Sequence, residues 1–161
     1  AAAAMGQYPG DKDVAYNEDI FVGYRYADTK GVKPLFAFGH GLSYTTFKYG
    51  KLTADKKKTT GDITFTITVQ NTGKRDGAEV VQLYIHDEQS SLPRPYKELK
   101  GFQKVFLKAG EVKTITFHIS KNDLSFFQPE QHAWVAEKGV FKALVGASSA
   151  DIKSEVSFEL E

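Results

Sequence analysis

Apolar and polar side chains alternate along the chain from residue 61 onward. The run DITFTITVQ is the clearest case, since Ile63, Phe65 and Ile67 occupy every second position and threonines stand between them. A period of two with many β-branched residues indicates a strand that is buried on one face. The runs AEVVQLYIH and TITFHIS and residues 151–161 alternate in the same way. The side chains predicted to point inward are Ile63, Phe65, Ile67, Val69, Val81, Leu83, Ile85, Ile115, Phe117, Ile119, Ile152, Val156, Phe158 and Leu160.

Shorter apolar runs stand between these strands, namely ELKGFQKVFL, HAWVAE and GVFKALVG, and turn residues such as NTGKRDG separate them. Seven or eight short strands at regular spacing predict an all-β fold, an antiparallel β-sandwich of two sheets about 10 Å apart. Helical character is predicted only for a single turn within KNDLSFF, with Asn122 or Asp123 as its cap.

The first 44 residues follow a different pattern. They are rich in aromatic side chains, yet glycine and proline interrupt every periodic stretch. A free linker would contain fewer aromatic residues, so the segment is predicted to be an irregular arm that packs on a folded body. That body is either the sandwich or a domain outside this chain. The predicted organisation is therefore a junction arm at 1–44 and a β-sandwich domain at 45–161. The aromatic residues concerned are Tyr8, Tyr16, Phe21, Tyr24, Tyr26 and Phe36.

Charge and composition exclude several classes of function. The formal net charge is +1, so no basic field points to nucleic acid, and the lysines at 56–58 are predicted to form a solvated hairpin turn. No cysteine is present, which excludes disulfides, thiolate metal sites and thiol catalysis but leaves the compartment open. No apolar run approaches the ~18 residues of a membrane span, so no membrane partner is predicted. Residues 1–5 do not resemble a signal peptide.

The stretch PLFAFGHGLSYTTF sets His40 and Ser43 in an apolar frame, as active-site loops often do. A nucleophilic serine on a tight turn prefers G-x-S-x-G, and here Thr45 takes the place of the second glycine. The simpler interpretation is that Gly39 and Gly41 let the backbone turn sharply before the first strand. The four histidines do not have metal-ligand spacing, and DKDVAYNED lacks the later ligands of a calcium loop. No metal or cofactor is predicted.

Glycosidases need two carboxylates flanking one bond, and Glu18 and Glu98 are the acids set among aromatic residues. Neither has a partner at a defensible spacing. Trp134, the single tryptophan, is interpreted as a core or interface residue in preference to a sugar-stacking platform. The loop SSLPRPYKELKGF is stiffened by prolines, so its arginine, tyrosine and lysine are candidate anchors for a partner surface.

Several of these runs together resemble a known family. YNEDIFVGYRYAD and PLFAFGHGLSYTTF are similar to the junction that ends the catalytic region of glycoside hydrolase family 3 enzymes. GAEVVQLYIHD, RPYKELKGFQKVFLKAGE, DLSFF and GVFKALVGASSADI resemble the fibronectin type III-like domain that closes three-domain β-glucosidases. The resemblance implies a retaining mechanism, with an aspartate nucleophile and a glutamate acid/base in upstream domains. No motif around those residues has a counterpart here, so no catalytic residue is assigned to this chain.

The resemblance thus implies a non-catalytic structural module whose partners are the catalytic domains of a β-glucosidase. Export to the periplasm or the extracellular space is implied by the family alone. Two alternatives remain open: an accessory module that binds polysaccharide, and, less favoured, a protein-interaction domain. The residues predicted to contact other domains are Arg94, Pro95, Tyr96, Lys97, Glu98, Phe102 and Trp134.

Overall fold

A computed structural model describes residues 12–14 and 17–161 of the chain. The expectations for residues 1–5, Tyr8 and Tyr16 lie outside the described residues. The elements are one α-helix, α1 (Tyr24–Lys30), two 3₁₀ turns (Lys121–Leu124 and Pro129–Gln131) and the strands β1 (Phe47–Tyr49), β2 (Thr53–Ala54), β3 (Lys58–Thr59), β4 (Ile63–Asn71), β5 (Gly77–Asp87), β6 (Glu98–Leu107), β7 (Val112–Ile119), β8 (Phe126–Gln128), β9 (Ala133–Val135), β10 (Gly139–Ser148) and β11 (Asp151–Leu160).

The long strands form two sheets, which confirms the predicted all-β sandwich. In the smaller sheet β4 pairs antiparallel with β1, β2 and β7. The larger sheet has the order β3-β11-β10-β5-β6, and β8 pairs with β9 in a separate hairpin. Within the described residues there are eleven strands against the seven or eight predicted, and five of them are only two or three residues long. Such short strands carry too few residues to show an alternation.

The core lies between the inner faces of the two sheets, where the predicted alternation places it. Phe65 from the smaller sheet contacts Phe158 from the larger one edge to face, with 5.3 Å between ring centroids. Phe158 stacks in turn on Phe141, at 5.5 Å. Because each fully buried aliphatic or aromatic side chain contributes ~1.5–3 kcal/mol, this contiguous cluster is the main stabilising feature. Its other buried members include Ile63, Ile67, Val69, Val81, Leu83, Ile85, Ile115, Phe117, Ile119 and Leu160.

The lysine-rich segment differs from the prediction of a solvated hairpin turn. Lys58–Thr59 forms β3, which pairs parallel with β11, so the sandwich is not antiparallel throughout. The Lys58 ammonium contacts Glu161 at 2.8 Å and Glu159 at 3.0 Å, while Thr59 is buried. All three lysines of the run are exposed, as predicted, but Lys58 lies in a strand and not in a hairpin turn, where the acidic outward face of β11 pairs with it.

The predicted helical turn in KNDLSFF is present as the 3₁₀ turn Lys121–Leu124, but its cap was predicted wrongly. Ser120 is the cap, and its backbone N–H and hydroxyl both donate to the Asp123 carboxylate, at 2.8 Å and 2.6 Å. The helix α1 was not predicted. It has only seven residues and ends where Gly31 adopts a left-handed conformation, φ 65°. Fewer than two turns give no readable 3.6-residue period, so tertiary contacts must stabilise it.

Candidate interdomain surface

The residues predicted to contact other domains divide into an inward and an outward set. The inward set packs against other parts of this chain and is largely buried; it consists of Arg94, Pro95, Lys97 and Glu98. The three aromatic residues remain exposed, with relative exposures of 49% for Tyr96, 67% for Phe102 and 72% for Trp134. The inward set holds the loop in place, and the outward set is free to meet another surface.

Arg94 fixes the loop before β6 to two neighbouring segments. Its Nη1 donates to Asp87 Oδ2 at 2.9 Å and to the Leu124 carbonyl at 3.3 Å, and its Nη2 donates to Glu98 Oε1 at 3.1 Å. The guanidinium also lies over the Phe126 ring, 5.3 Å from the centroid. The Arg94 side chain is only 8% exposed, so these charge-assisted bonds form in a largely water-free site. Arg94 therefore joins β5, β6 and the segment before β8.

Glu98 is the most heavily paired acid of this cluster. Burial by itself raises the pKa of Glu98, but Lys100 at 2.8 Å and Arg94 outweigh it, and the pKa of this carboxyl lies below its ordinary value. Arg25 approaches the same carboxylate at 4.0 Å. A general acid in a glycosidase needs the opposite, a carboxyl whose pKa is raised so that it holds a proton. Glu98 is therefore a structural anion and not a proton donor.

Lys97 joins the arm to the sandwich. Its ammonium lies 2.6 Å from Asp28 in α1, and its side chain is only 5% exposed. Two backbone amides near the start of β6 also donate to the arm: Tyr96 N–H to Thr29 Oγ1 at 3.0 Å, and Leu99 N–H to the Tyr24 hydroxyl at 2.8 Å. These contacts pack α1 against this sandwich, which settles where this part of the arm lies.

The arm also covers the outer face of β5. Tyr24 stacks on Phe38 at 4.9 Å and meets Tyr84 edge to face at 5.8 Å. The Tyr84 hydroxyl donates to Gln82 Oε1, and Gln82 Nε2 donates to the Ala147 carbonyl at 2.8 Å. Burial raises the pKa of the Tyr84 hydroxyl well above its ordinary value. The outward side of β5 is therefore buried as well, because a second layer lies on it.

The glycines of the FGHG stretch do not act alike. Gly39 has φ 78°, and a Cβ at this position would lie 2.4 Å from Gln82 Nε2. Gly41 has neither a positive φ nor an atom within 4 Å of its missing Cβ. The predicted sharp turn is thus confirmed at Gly39 and wrong at Gly41. Within residues 12–14 and 17–161, Ser43 Oγ bonds only the Thr45 amide and the His40 ring lies against Phe36, so no Ser–His pair forms.

Replacing Gly39 by alanine is expected to lower the free energy of unfolding by about 1–2 kcal/mol. Alanine would have to adopt the left-handed backbone conformation of this position. Its Cβ would also displace the Gln82 amide from its two hydrogen bonds. Urea titration of the purified chain measures the change. Gly41→Ala is the matched control and should unfold as the wild type does. Equal stability of the two variants would contradict the role given to Gly39.

Trp134 borders an open cleft of about 630 Å³. The indole meets Phe127 edge to face at 5.9 Å, and both rings stand on the β8–β9 hairpin. Trp134 is not a core residue of this chain, since 72% of it is exposed. The arm and the proline loop also line the cleft, through Ile20, Phe21, Leu92 and Pro93. The charged residues that line it are Asp19, Arg25, Arg94, Glu98 and Lys100.

The described residues offer neither a group of metal ligands nor a membrane-spanning helix. No group of three or more histidine or acidic side chains in them could hold a metal ion. In the same residues, no helix has the length and hydropathy that crossing a bilayer requires. The two acids that follow His86 are engaged within the chain, since Asp87 bonds Arg94 and Glu88 bonds Lys142.

The sequence does not indicate that Asp28 and Asp87 take part in this surface, and it indicates Tyr24 only as one of the aromatic residues of the arm. Tyr24 and Asp28 lie in the run YRYAD, and Asp87 ends the run QLYIHD. The available signal was Lys97, because a lysine within an apolar loop needs an acidic partner if it is buried. The sequence does not say which acid supplies that charge.

Comparisons with known proteins place the chain in a family. Residues 79–149 match the model of the fibronectin type III-like domain. The β-glucosidase BoGH3A of Bacteroides ovatus is 52% identical over 155 residues, which are 94% of this chain and 21% of that protein. Thermostable β-glucosidase B of Acetivibrio thermocellus is 51% identical over 90% of this chain and 20% of its own length. The chain thus spans about a fifth of the length of these curated relatives.

Solved structures agree with the sequence comparisons. The GH3 β-glucosidase of Bifidobacterium adolescentis superposes with a TM-score of 0.93 at 39% identity, over 98% of this chain and 23% of that one. A β-glucosidase from Kluyveromyces marxianus, solved in complex with glucose, gives 0.93 at 43% identity, over 99% and 19%. Residues 79–149 are therefore a fibronectin type III-like domain, and the chain corresponds to the C-terminal region of family 3 glycoside hydrolases of the β-glucosidase type.

Proposed function

We propose that the chain is a non-catalytic module that braces the catalytic domains of a β-glucosidase. The observation that carries this proposal is the exposure of large apolar side chains along one short segment. Leu35 is 92% exposed, Leu42 95% and Tyr44 93%, and Phe36 between them is 71% exposed. Single exposed apolar residues are ordinary on a monomer, but a cluster on one segment marks an interaction site.

The shape of the arm supports the same proposal. An open hollow of about 480 Å³ lies along it and is lined mainly by apolar side chains, among them Tyr26, Val32, Pro34 and Phe36. The arm is anchored from below by Tyr24 and Asp28, so it presents this apolar side on a fixed support. Such a surface suits a neighbouring domain of the same polypeptide, since it would bury apolar area without reordering the arm.

The parent enzyme, on this proposal, hydrolyses terminal β-glycosidic bonds with retention of configuration. Its nucleophile and its acid/base belong to domains that precede this region, and the chain alone supplies neither. Incubating the purified chain with an aryl β-glucoside should therefore release aryl alcohol no faster than buffer does. Turnover that disappears on Glu98→Gln would overturn the proposal, because it would make the paired carboxylate of the cleft a catalytic one.

A double substitution on the arm, Leu35→Ser with Tyr44→Ser, separates bracing from local stability. Both side chains are almost fully exposed, so the melting temperature of the isolated chain should change little, as for most surface substitutions (~0.5 kcal/mol or less). In the longer enzyme the same change should cost about 3 kcal/mol or more, since each apolar side chain buried at an interface contributes ~1.5–3 kcal/mol. Calorimetry of both proteins provides the measurement.

The control for this pair is Val112→Ser, which alters an exposed apolar residue of β7 outside the arm. It should leave the melting temperatures of the isolated chain and of the longer enzyme unchanged. An equal loss of stability in the isolated chain and in the longer enzyme would mean that the arm residues act within this domain only. If neither protein lost stability, the proposed bracing role would be wrong.

A further inference from the structure

The cleft beside Trp134 presents an aromatic platform whose face is open. The indole is 72% exposed and is fixed by its contact with Phe127 on a short hairpin. The hairpin is itself held from below, because Arg94 lies over Phe126 in β8. An indole that is rigidly supported and open on one side can stack against the C–H face of a ring without a large cost in side-chain entropy.

Hydrogen-bonding groups stand in the same cleft. The Arg25 guanidinium carries five N–H donors, and within the described residues its one charged partner is Glu98, at 4.0 Å. The Lys100 ammonium has three donors, and the one hydrogen bond it makes to a described residue goes to Glu98 at 2.8 Å. Both cations thus keep donors for a further acceptor.

The charge of the cleft decides which ligand it fits. Three cations, Arg25, Arg94 and Lys100, line it together with two acids, Glu98 and Asp19. Arg94 also pairs with Asp87 at 2.9 Å, so the formal charges cancel when this carboxylate is counted. A phosphate or a polyanion would find the cations already compensated by carboxylates. A neutral molecule with hydroxyl groups would find donors and acceptors side by side. The volume of about 630 Å³ lies within the range of small-molecule sites, ~300–1,000 Å³.

We infer that this cleft binds a neutral oligosaccharide built of pyranose rings, which stacks on Trp134 and bonds Arg25 and Lys100 through its hydroxyls. The step is one of binding alone. The Glu98 carboxylate is held by cations and stays ionised, so it accepts hydrogen bonds from sugar hydroxyls and donates no proton to a leaving group. This inference does not depend on the bracing role, because a chain that binds no sugar could still stabilise its neighbours.

Trp134 is the only tryptophan of the sequence, so its fluorescence reports directly on the cleft. Titrating the 161-residue chain with laminarihexaose should give a saturable change in emission, with a Kd on the order of 1 mM. Isothermal calorimetry then compares variants that lack the fluorophore. Trp134→Ala should weaken binding at least about ten-fold, and Arg25→Ala about three-fold or more.

The matched control is Phe102→Ala, which removes an aromatic side chain of similar exposure that does not line the cleft. It should bind laminarihexaose as the wild type does. Circular dichroism of each variant shows that the fold is retained, which is expected because Trp134 lies on the surface. Emission that stays flat up to about 20 mM sugar, or a Trp134→Ala variant that binds like the wild type, would overturn the inference.

Discussion

Replacing Arg94 by methionine is expected to lower the free energy of unfolding by about 3–5 kcal/mol. Methionine fills much of the same volume but leaves Asp87 and Glu98 without the cation between them, and both carboxylates are largely buried. The Leu124 carbonyl loses a donor as well. Guanidinium chloride unfolding of the purified chain, followed by circular dichroism, measures the change.

The control for Arg94 is an ion pair that reaches water. Lys153 contacts Asp151 at 2.7 Å, and the two side chains are 36% and 51% exposed. Exposed pairs contribute ~0–1 kcal/mol, so Lys153→Met should shift the unfolding midpoint slightly. A similar small shift for Arg94→Met would show that water enters the cluster, and the anchoring role given to Arg94 would then be wrong.

Replacing Phe158 by alanine is expected to destabilise the chain to a similar extent, by about 3–5 kcal/mol. The ring lies between Phe65 of the smaller sheet and Phe141 of its own sheet, and it is 2% exposed. Removing it would leave a cavity where the two sheets meet, because the flanking rings belong to different sheets and cannot close the gap freely. Calorimetric melting and denaturant titration should agree on the loss.

A second phenylalanine supplies the comparison for Phe158. Phe102 is 67% exposed on the outer side of β6, so Phe102→Ala removes the same atoms without opening a cavity. It should change the free energy of unfolding by less than about 0.5 kcal/mol in the isolated chain. If both variants lost the same free energy of unfolding, the inter-sheet stack would contribute far less to stability than its burial suggests.

The sandwich could be predicted from the sequence because its signal is local. In β4, each apolar residue from Ile63 to Val69 alternates with a polar one, and the burial found in the structure follows that order. The same holds for β7, where Ile115, Phe117 and Ile119 are buried. The outer face of β5 escaped prediction, since Tyr84 is buried by a segment that the strand pattern does not include.

The candidate surface could be predicted only in part, for a related reason. The sequence singled out the proline loop but not the direction in which its side chains turn. Lys97 and Asp28 stand 69 positions apart, and nothing local to either residue indicates that they meet. Trp134 could equally have filled a core, because a strand pattern of three residues does not say which face is covered.

The placement of β11 has a consequence for biosynthesis. This strand lies between β10 and β3 and carries Phe158, so the larger sheet lacks an inner member until residues 151–160 have left the ribosome. Until then the free edge of β10 and the Phe141 ring stay open to solvent, where an unpaired strand can meet another chain. We therefore expect the nascent chain to depend on holding chaperones until translation of this last strand.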